Sequence, residues 1–377
     1  MITFYYIYNA LKLSKIIKKL HLNRILYLIL YPFIHNKIKI DEIEICNARN
    51  FLQSISPNPA NSCLCKPREC KSDYDLQVII PAYKTAQYIE KCIDSVLDLP
   101  TSCSIIITVV NDGSPDNMIE ILKKYNSDPR VEVITQENRG LSGARNRALE
   151  NIKGRYVTFL DSDDEFLKGV KIDELLSSIQ RNNIEILECG YVMFRGEKDL
   201  KVIRHQDIIS DKANGLLYGF PWGKIFKAEL FSQIQFPERY WFEDTIMAFI
   251  IFPMCKKVAT SSTLLYHYRI NPQGISSTSR GNVKSLDTYW ITEQLLADRV
   301  TLNLHNDEAF SEVMLGQIRM NNSRVKKLAR LDIDRAVFIL TADIWNKYFH
   351  DMNISSPLAR ALTEYDFGKY KLLLELS

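Results

Sequence analysis

Three aspartates fall within four positions in the stretch TFLDSDDEF, residues 158–166, directly after the apolar run Tyr156 to Leu160. Carboxylates this close repel one another unless something outside the strand end neutralises them. A divalent cation with hard oxygen ligands does so, which makes Asp161 and Asp163 a candidate pair for Mg²⁺ or Mn²⁺. A second acidic pair, Glu243-Asp244, follows Tyr240, Trp241 and Phe242 and precedes the apolar run Ile246 to Phe252. A carboxylate there could take a proton from a reacting hydroxyl. It would serve equally well as favourable charge at a helix N-terminus. In NDGS, Asp112 closes another apolar run at a candidate ligand-binding strand end. An ordinary turn followed by a helix cap accounts for the same residues.

The elements that must position these residues alternate. From Leu76, LQVIIPAY reads as a strand, AQYIEKCIDSVLDL as a helix and SIIITVVNDGS as a strand ending in a turn. A helix over Met118 to Tyr125, a strand VEVIT, a helix over SGARNRALENI and the strand RYVTFL follow. Strands that are apolar throughout and alternate with helices predict a mostly parallel sheet flanked by helices, with ligands at the carboxyl ends of the strands. Further on, IEILECGYVMF and LLYHYR read as strands, PWGKIFKAELF and FEDTIMAFIIF as helices, and the stretch after Ser285 as mainly helical.

The 377 residues, 46% of them hydrophobic, suit one sizeable domain with additions or two domains, and a net charge of +3 makes no case for nucleic acid. The charge is uneven, however. Lys12, Lys15, Lys18, Lys19, Arg24, Lys37 and Lys39 precede the first acid, Asp41, and Leu13, Ile16, Ile17 and Leu20 fall at helical spacing among the lysines. Residues 1–52 therefore read as a basic amphipathic segment suited to an anionic membrane surface, or as a helix packed on its own domain. The apolar run Ile25 to Ile34 is too short to span a bilayer. Residues 53–75 read as a linker. Cys63, Cys65 and Cys70, with Cys46, could supply zinc ligands, although C-x-C-x4-C is not a standard zinc spacing.

Six motifs, VIIPAY, VVNDGSPD, NRGLSGARNRAL, GRYVTFLDSDDEF, WGKIFKAELF and FEDTIMAF, occur in an order that resembles bacterial family 2 glycosyltransferases of the GT-A fold. The resemblance covers roughly residues 76–280, the expected catalytic domain, and leaves 281–377 as a helical C-terminal extension. It implies inverting transfer from a nucleotide-sugar, with Asp163 as direct metal ligand and Asp161 on the ribose or a metal-bound water. Pro81, Ala82, Tyr83, Asp112, Arg145 and Ser162 carry over as nucleotide-sugar contacts, and Asp244 as the base with Glu243 beside it. Trp222 and Lys224 match a position near the acceptor cleft, whereas Lys84 departs from the asparagine common there. A haloacid-dehalogenase-type phosphatase would carry its D-x-D at the first strand, and an EF-hand would need glycine where Phe166 stands. The expectation is thus a metal-dependent glycosyltransferase using a UDP-sugar and a glycan or lipid-linked acceptor. The expected location is the cytoplasm, on the inner face of a bacterial membrane. A catalytically silent nucleotide-sugar-binding scaffold is the alternative.

Overall fold

The computed structural model describes residues 32–34, 36–213, 215–271, 281–352 and 354–376. The basic amphipathic pattern over residues 12–24 lies outside them. The chain divides into two compact units, one built from Pro59–Ser279 with Trp290–His305, the other from Met1–Asn58, Arg280–Tyr289 and Asn306–Ser377.

The first unit holds a ten-stranded sheet: β1 (Cys70–Ala82), β2 (Ile105–Asn111), β3 (Val131–Thr135), β4 (Ile152–Phe159), β5 (Glu165–Phe166), β6 (Ile186–Arg195), β7 (Lys198–Ile203), β8 (Ile208–Ser210), β9 (Lys224–Lys227) and β10 (Val258–Arg269). The strand order is β3-β2-β1-β4-β9-β6-β10-β5, with β7 on β6 and β8 on β10. β3, β2, β1 and β4 are mutually parallel, as are β6 and β10, while β9 runs antiparallel between β4 and β6. Alternation along β1 sends Val78 and Ile80 to one face, where they join Ile89, Ile93 and Val96 of the helix Ala86–Leu97 and Leu175 and Ile179 of the helix Ile172–Asn182. On β4 and β9, Phe159 meets Phe226, Phe231 and Phe236 edge to face, with centroids 5.8, 5.5 and 5.3 Å apart.

Three expectations are corrected. Lys224–Lys227, read as helix, is the strand β9, because pairing on both sides overrides local propensity. Only the 3-10 turn Ala228–Phe231 follows it. The stretch 53–75, read as linker, begins in the helix Glu42–Ile55 and ends in β1. Between these, Cys65 N donates to Gln233 O and Arg68 N to Ser232 O, so backbone pairing fixes it. Finally, Trp290–His305 belongs to the sheet-containing unit.

The second unit is helical, comprising Glu42–Ile55, Glu308–Val325, Leu331–Phe349, Pro357–Thr363 and Phe367–Leu376, in keeping with the expected C-terminal helices. Among the described residues no helix is long and apolar enough to cross a membrane, and no three His, Cys, Asp or Glu side chains group to hold a metal.

Candidate active site

The acidic stretch forms a tight turn at the end of β4, in which Leu160 N still donates to Ile79 O and Asp164 N donates back to Asp161 O. Asp164, the third acid, is buried. It accepts the Tyr266 hydroxyl at 2.7 Å and Arg269 N at 2.6 Å, and the same hydroxyl accepts Asp161 N at 3.1 Å. Tyr266 thus braces the turn from β10. Burial, with the charges of Asp163 and Asp161, pushes the Asp164 carboxyl well above the usual carboxylate range. Asp163 Oδ2 accepts Asn271 Nδ2 at 2.9 Å. Burial raises its carboxyl and the Asp161 charge adds to the rise, against the Asn271 hydrogen bond. Asp161 Oδ1 accepts Arg145 Nη2 at 3.0 Å. A bound Mg²⁺ or Mn²⁺ fits this donor set. Each aspartate keeps its second carboxylate oxygen without another residue's donor among the described residues, and phosphate and water oxygens complete such a shell.

Arg145 links the two acidic motifs. It sits on the helix Gly140–Leu149, 1% exposed, and its other terminal nitrogen donates to Glu243 Oε1 at 2.7 Å. Burial opposes its charge, but the Asp161 and Glu243 carboxylates prevail and raise its pKa. The guanidinium fork, which suits two carboxylates at once, therefore ties the D-S-D turn to the Glu243-Asp244 pair. Glu243 follows Phe242, whose φ of +67° bulky residues rarely adopt. The helix after the pair opens with the π-turn Met247–Ile251, a deformation frequent at functional sites. Asp244 is half-buried, within electrostatic reach of the Lys224 ammonium.

The ends of β1 and β2 complete the arrangement. Asp112 N donates to Ala82 O at 3.0 Å, next to Tyr83, whose ring is 42% exposed. The Asp112 carboxylate accepts Gln136 Nε2 at 2.7 Å and the backbone N–H groups of Arg139 and Gly140 at 2.8 Å each, so it caps the Gly140–Leu149 helix from outside it. Gly113 adopts φ +64°, and a Cβ there would meet Asn138 N at 3.0 Å. Lys84, also at positive φ, donates its N–H to Ser114 Oγ at 2.7 Å, and Thr85 Oγ1 lies 2.8 Å from Ser162 Oγ. Pro81 to Thr85, Asp112 to Ser114 and Asp161 to Asp163 are thereby joined at one end of the sheet.

Residues 77–241 match the sequence profile described as "Glycosyl transferase family 2". They form a family 2 glycosyltransferase domain. The matched segment includes every candidate nucleotide and metal residue and stops just short of Glu243. Glycosyltransferase GlyA of Streptococcus pneumoniae is 34% identical over 224 residues, which cover 54% of this chain and 32% of GlyA. The uncharacterized glycosyltransferase EpsJ of Bacillus subtilis is 29% identical over 53% of this chain and 62% of its own length. The chain thus spans about a third of the one and under two thirds of the other. In three dimensions the domain has the GT-A fold. It resembles the crystal structure of Staphylococcus aureus TarS residues 1–349 in complex with UDP-GlcNAc, at a TM-score of 0.65 and 18% identity, over 80% of this chain and 90% of that one.

Within the glycosyltransferase domain the remaining candidates have different surroundings. Trp222 is half-buried beside the acidic turn, its backbone bridged to Phe159. Lys224 does not face the cleft. It is fully buried, 2.9 Å from Glu188 and 2.7 Å from the Phe220 carbonyl. Burial lowers its pKa, and Glu188 opposes that. His267 stacks on Phe194 at 3.7 Å and contacts Asp199. Cys63 is buried, its N–H donating to Asp298. Sequence reasoning missed Asp164, Gln136, Asn271 and Glu188. Of these, Glu188 gave a signal, as a lone acid in the apolar run of β6.

Proposed function

We propose that the protein transfers a sugar from a UDP-sugar to a hydroxyl of a glycan or lipid-linked acceptor, with inversion, during synthesis of a bacterial surface polysaccharide. The observation that carries this reading is the Arg145 bridge, which draws Asp161 and Glu243 onto one buried guanidinium. The UDP and UDP-GlcNAc complexes of TarS support the donor class. In this reading Pro81, Ala82 and Tyr83 flank the base. Asp112 has three of its four acceptor positions occupied, and the fourth takes the uracil N3–H. Asp161 and Asp163 would hold Mn²⁺ or Mg²⁺, which when bound supplies positive charge to the departing diphosphate. Arg145 holds Asp161 through its guanidinium, and Ser162, tied to Thr85, fixes the turn between the two aspartates. Glu243 is committed to Arg145, and Asp244, at the position that matches the base of the family's E-D motif, takes the acceptor hydroxyl's proton as its oxygen bonds to the anomeric carbon and the bond from that carbon to the diphosphate breaks. Residues 1–40, basic and amphipathic, would hold the enzyme on the cytoplasmic face of an anionic membrane.

The test is release of UDP from UDP-glucose, UDP-galactose and UDP-GlcNAc with Mn²⁺, with and without a membrane extract as acceptor. Release should be acceptor-stimulated, abolished by EDTA, and absent in Asp163→Asn. That variant should melt at the same temperature or higher, because a half-buried carboxyl whose pKa is raised by burial and by the Asp161 charge has been neutralised. Full activity of Asp163→Asn in EDTA would overturn the metal reading, and release from other nucleotide-sugars alone would overturn the uridine reading.

A further inference from the structure

Glu188 is 0% exposed near the start of β6, and three groups from three other stretches of chain converge on it. Lys224, also 0% exposed, places Nζ 2.9 Å from Oε2. Tyr218 N donates to that same oxygen at 2.8 Å. His205 Nε2 lies 3.1 Å from Oε1. The Lys224 ammonium also donates to Phe220 O and lies 4.3 Å from the centre of the Phe220 ring. One buried carboxylate thus holds the segment between β8 and β9 at Tyr218, at Phe220 through Lys224, and at the start of β9.

That segment carries a ladder of rings. Tyr218 lies 5.4 Å from Phe220, Phe220 stacks on Trp222 at 3.7 Å and 9°, and Trp222 stacks on Tyr268 at 4.9 Å and 17°. The inner end is beside the acidic turn, where Tyr266 stacks on Trp222 and bonds Asp164. The outer end is Tyr218, 45% exposed. An ion pair desolvated this fully is weak evidence for stability, since a well-packed apolar pair of similar volume often serves as well or better. What it supplies here is placement of an aromatic face.

We propose that Tyr218 is a stacking face for a pyranose ring of the acceptor, and that Glu188 is the residue that positions it. A pyranose turns its axial C–H bonds to one side, and that electropositive, apolar face complements the negative face of an aromatic ring. The ladder and the half-buried Asp244 belong to the same sheet-containing unit, and Lys224, which Glu188 holds, is within electrostatic reach of Asp244. The inference rests on the glycosyltransferase reading above and adds to it the class of acceptor and the residue that receives it.

The experiment measures transfer from the UDP-sugar to methyl glycosides of glucose, galactose and N-acetylglucosamine, with UDP affinity followed by calorimetry. Tyr218→Ala should raise the KM for the methyl glycoside about tenfold, with a much smaller change in kcat, and Tyr218→Phe should restore it. UDP affinity should be unchanged, and the melting temperature within about two degrees of the parent. The volume-matched double variant Glu188→Gln/Lys224→Met, which leaves no unpaired buried charge, should reproduce the KM effect without loss of UDP affinity. Equal KM in the parent, Tyr218→Ala and the double variant overturns this proposal alone. So does a parallel fall in UDP affinity. Absence of transfer and of UDP release in the parent overturns both this proposal and the glycosyltransferase reading.

Discussion

Arg145 separates structural from catalytic needs most sharply among the residues of the site. Its fork reaches Asp161 and Glu243 together, and lysine, a point charge on a flexible stem, satisfies one of them at best. Arg145→Lys should lower transfer by at least ~100-fold and cost about 3 kcal/mol of stability, because it strands a buried carboxylate. Denaturant unfolding and steady-state rates on the same preparation check both figures, and wild-type values for either would remove the bridge from the mechanism. The acids themselves were legible in the sequence, since three carboxylates after an apolar run demand neutralisation. The bridge was not, because Arg145 and Glu243 lie 98 positions apart and nothing local pairs them. Asp164 was hidden by its neighbours, and the Tyr266 hydroxyl and Arg269 N that it accepts set its structural role apart from the half-buried Asp161 and Asp163.

Among the elements, the central strands were readable from their largely apolar runs, since Leu76–Ala82 of β1 and all of β2 are buried on both faces. VEVIT forms β3 with the expected bounds, and LLYHYR falls within β10. β9 was not readable, since four residues carry too little pattern and their state is set by β4 and β6 on either side. The helix Ile172–Asn182 shows how such elements are held to the sheet. Asp173 in its first turn accepts Ser102 Oγ at 2.6 Å and Ser102 N at 3.0 Å, fixing the approach to β2. The Ser102 hydroxyl foremost, against a small cost of burial, holds the Asp173 carboxyl below the usual range. A lowered carboxylate contributes stability above its unfolded pKa and loses it as pH falls through the folded value. Asp173→Asn should therefore lower the melting temperature at pH 7, and the difference from the parent should shrink steadily below pH 4. A difference independent of pH would show that the contact acts without its charge.

For the whole molecule, the sequence showed which residues carry the family resemblance, but not which unit Trp290–His305 joins, because a helix buried on most sides does not name its partner. The basic pattern at residues 12–24 predicts that removing residues 1–40 releases the protein from anionic liposomes in flotation while UDP release from the donor persists. Persistent flotation of the shortened protein would place the membrane contact elsewhere. In the proposed mechanism one sheet end binds the donor through the D-S-D turn and deprotonates the acceptor through Asp244. Its most direct test is Asp244→Asn, with donor affinity by calorimetry and transfer by product formation measured on one preparation. UDP-sugar affinity should equal the parent's, and transfer should fall by about 10² to 10⁴. Unchanged transfer, or affinity lost together with transfer, would contradict it.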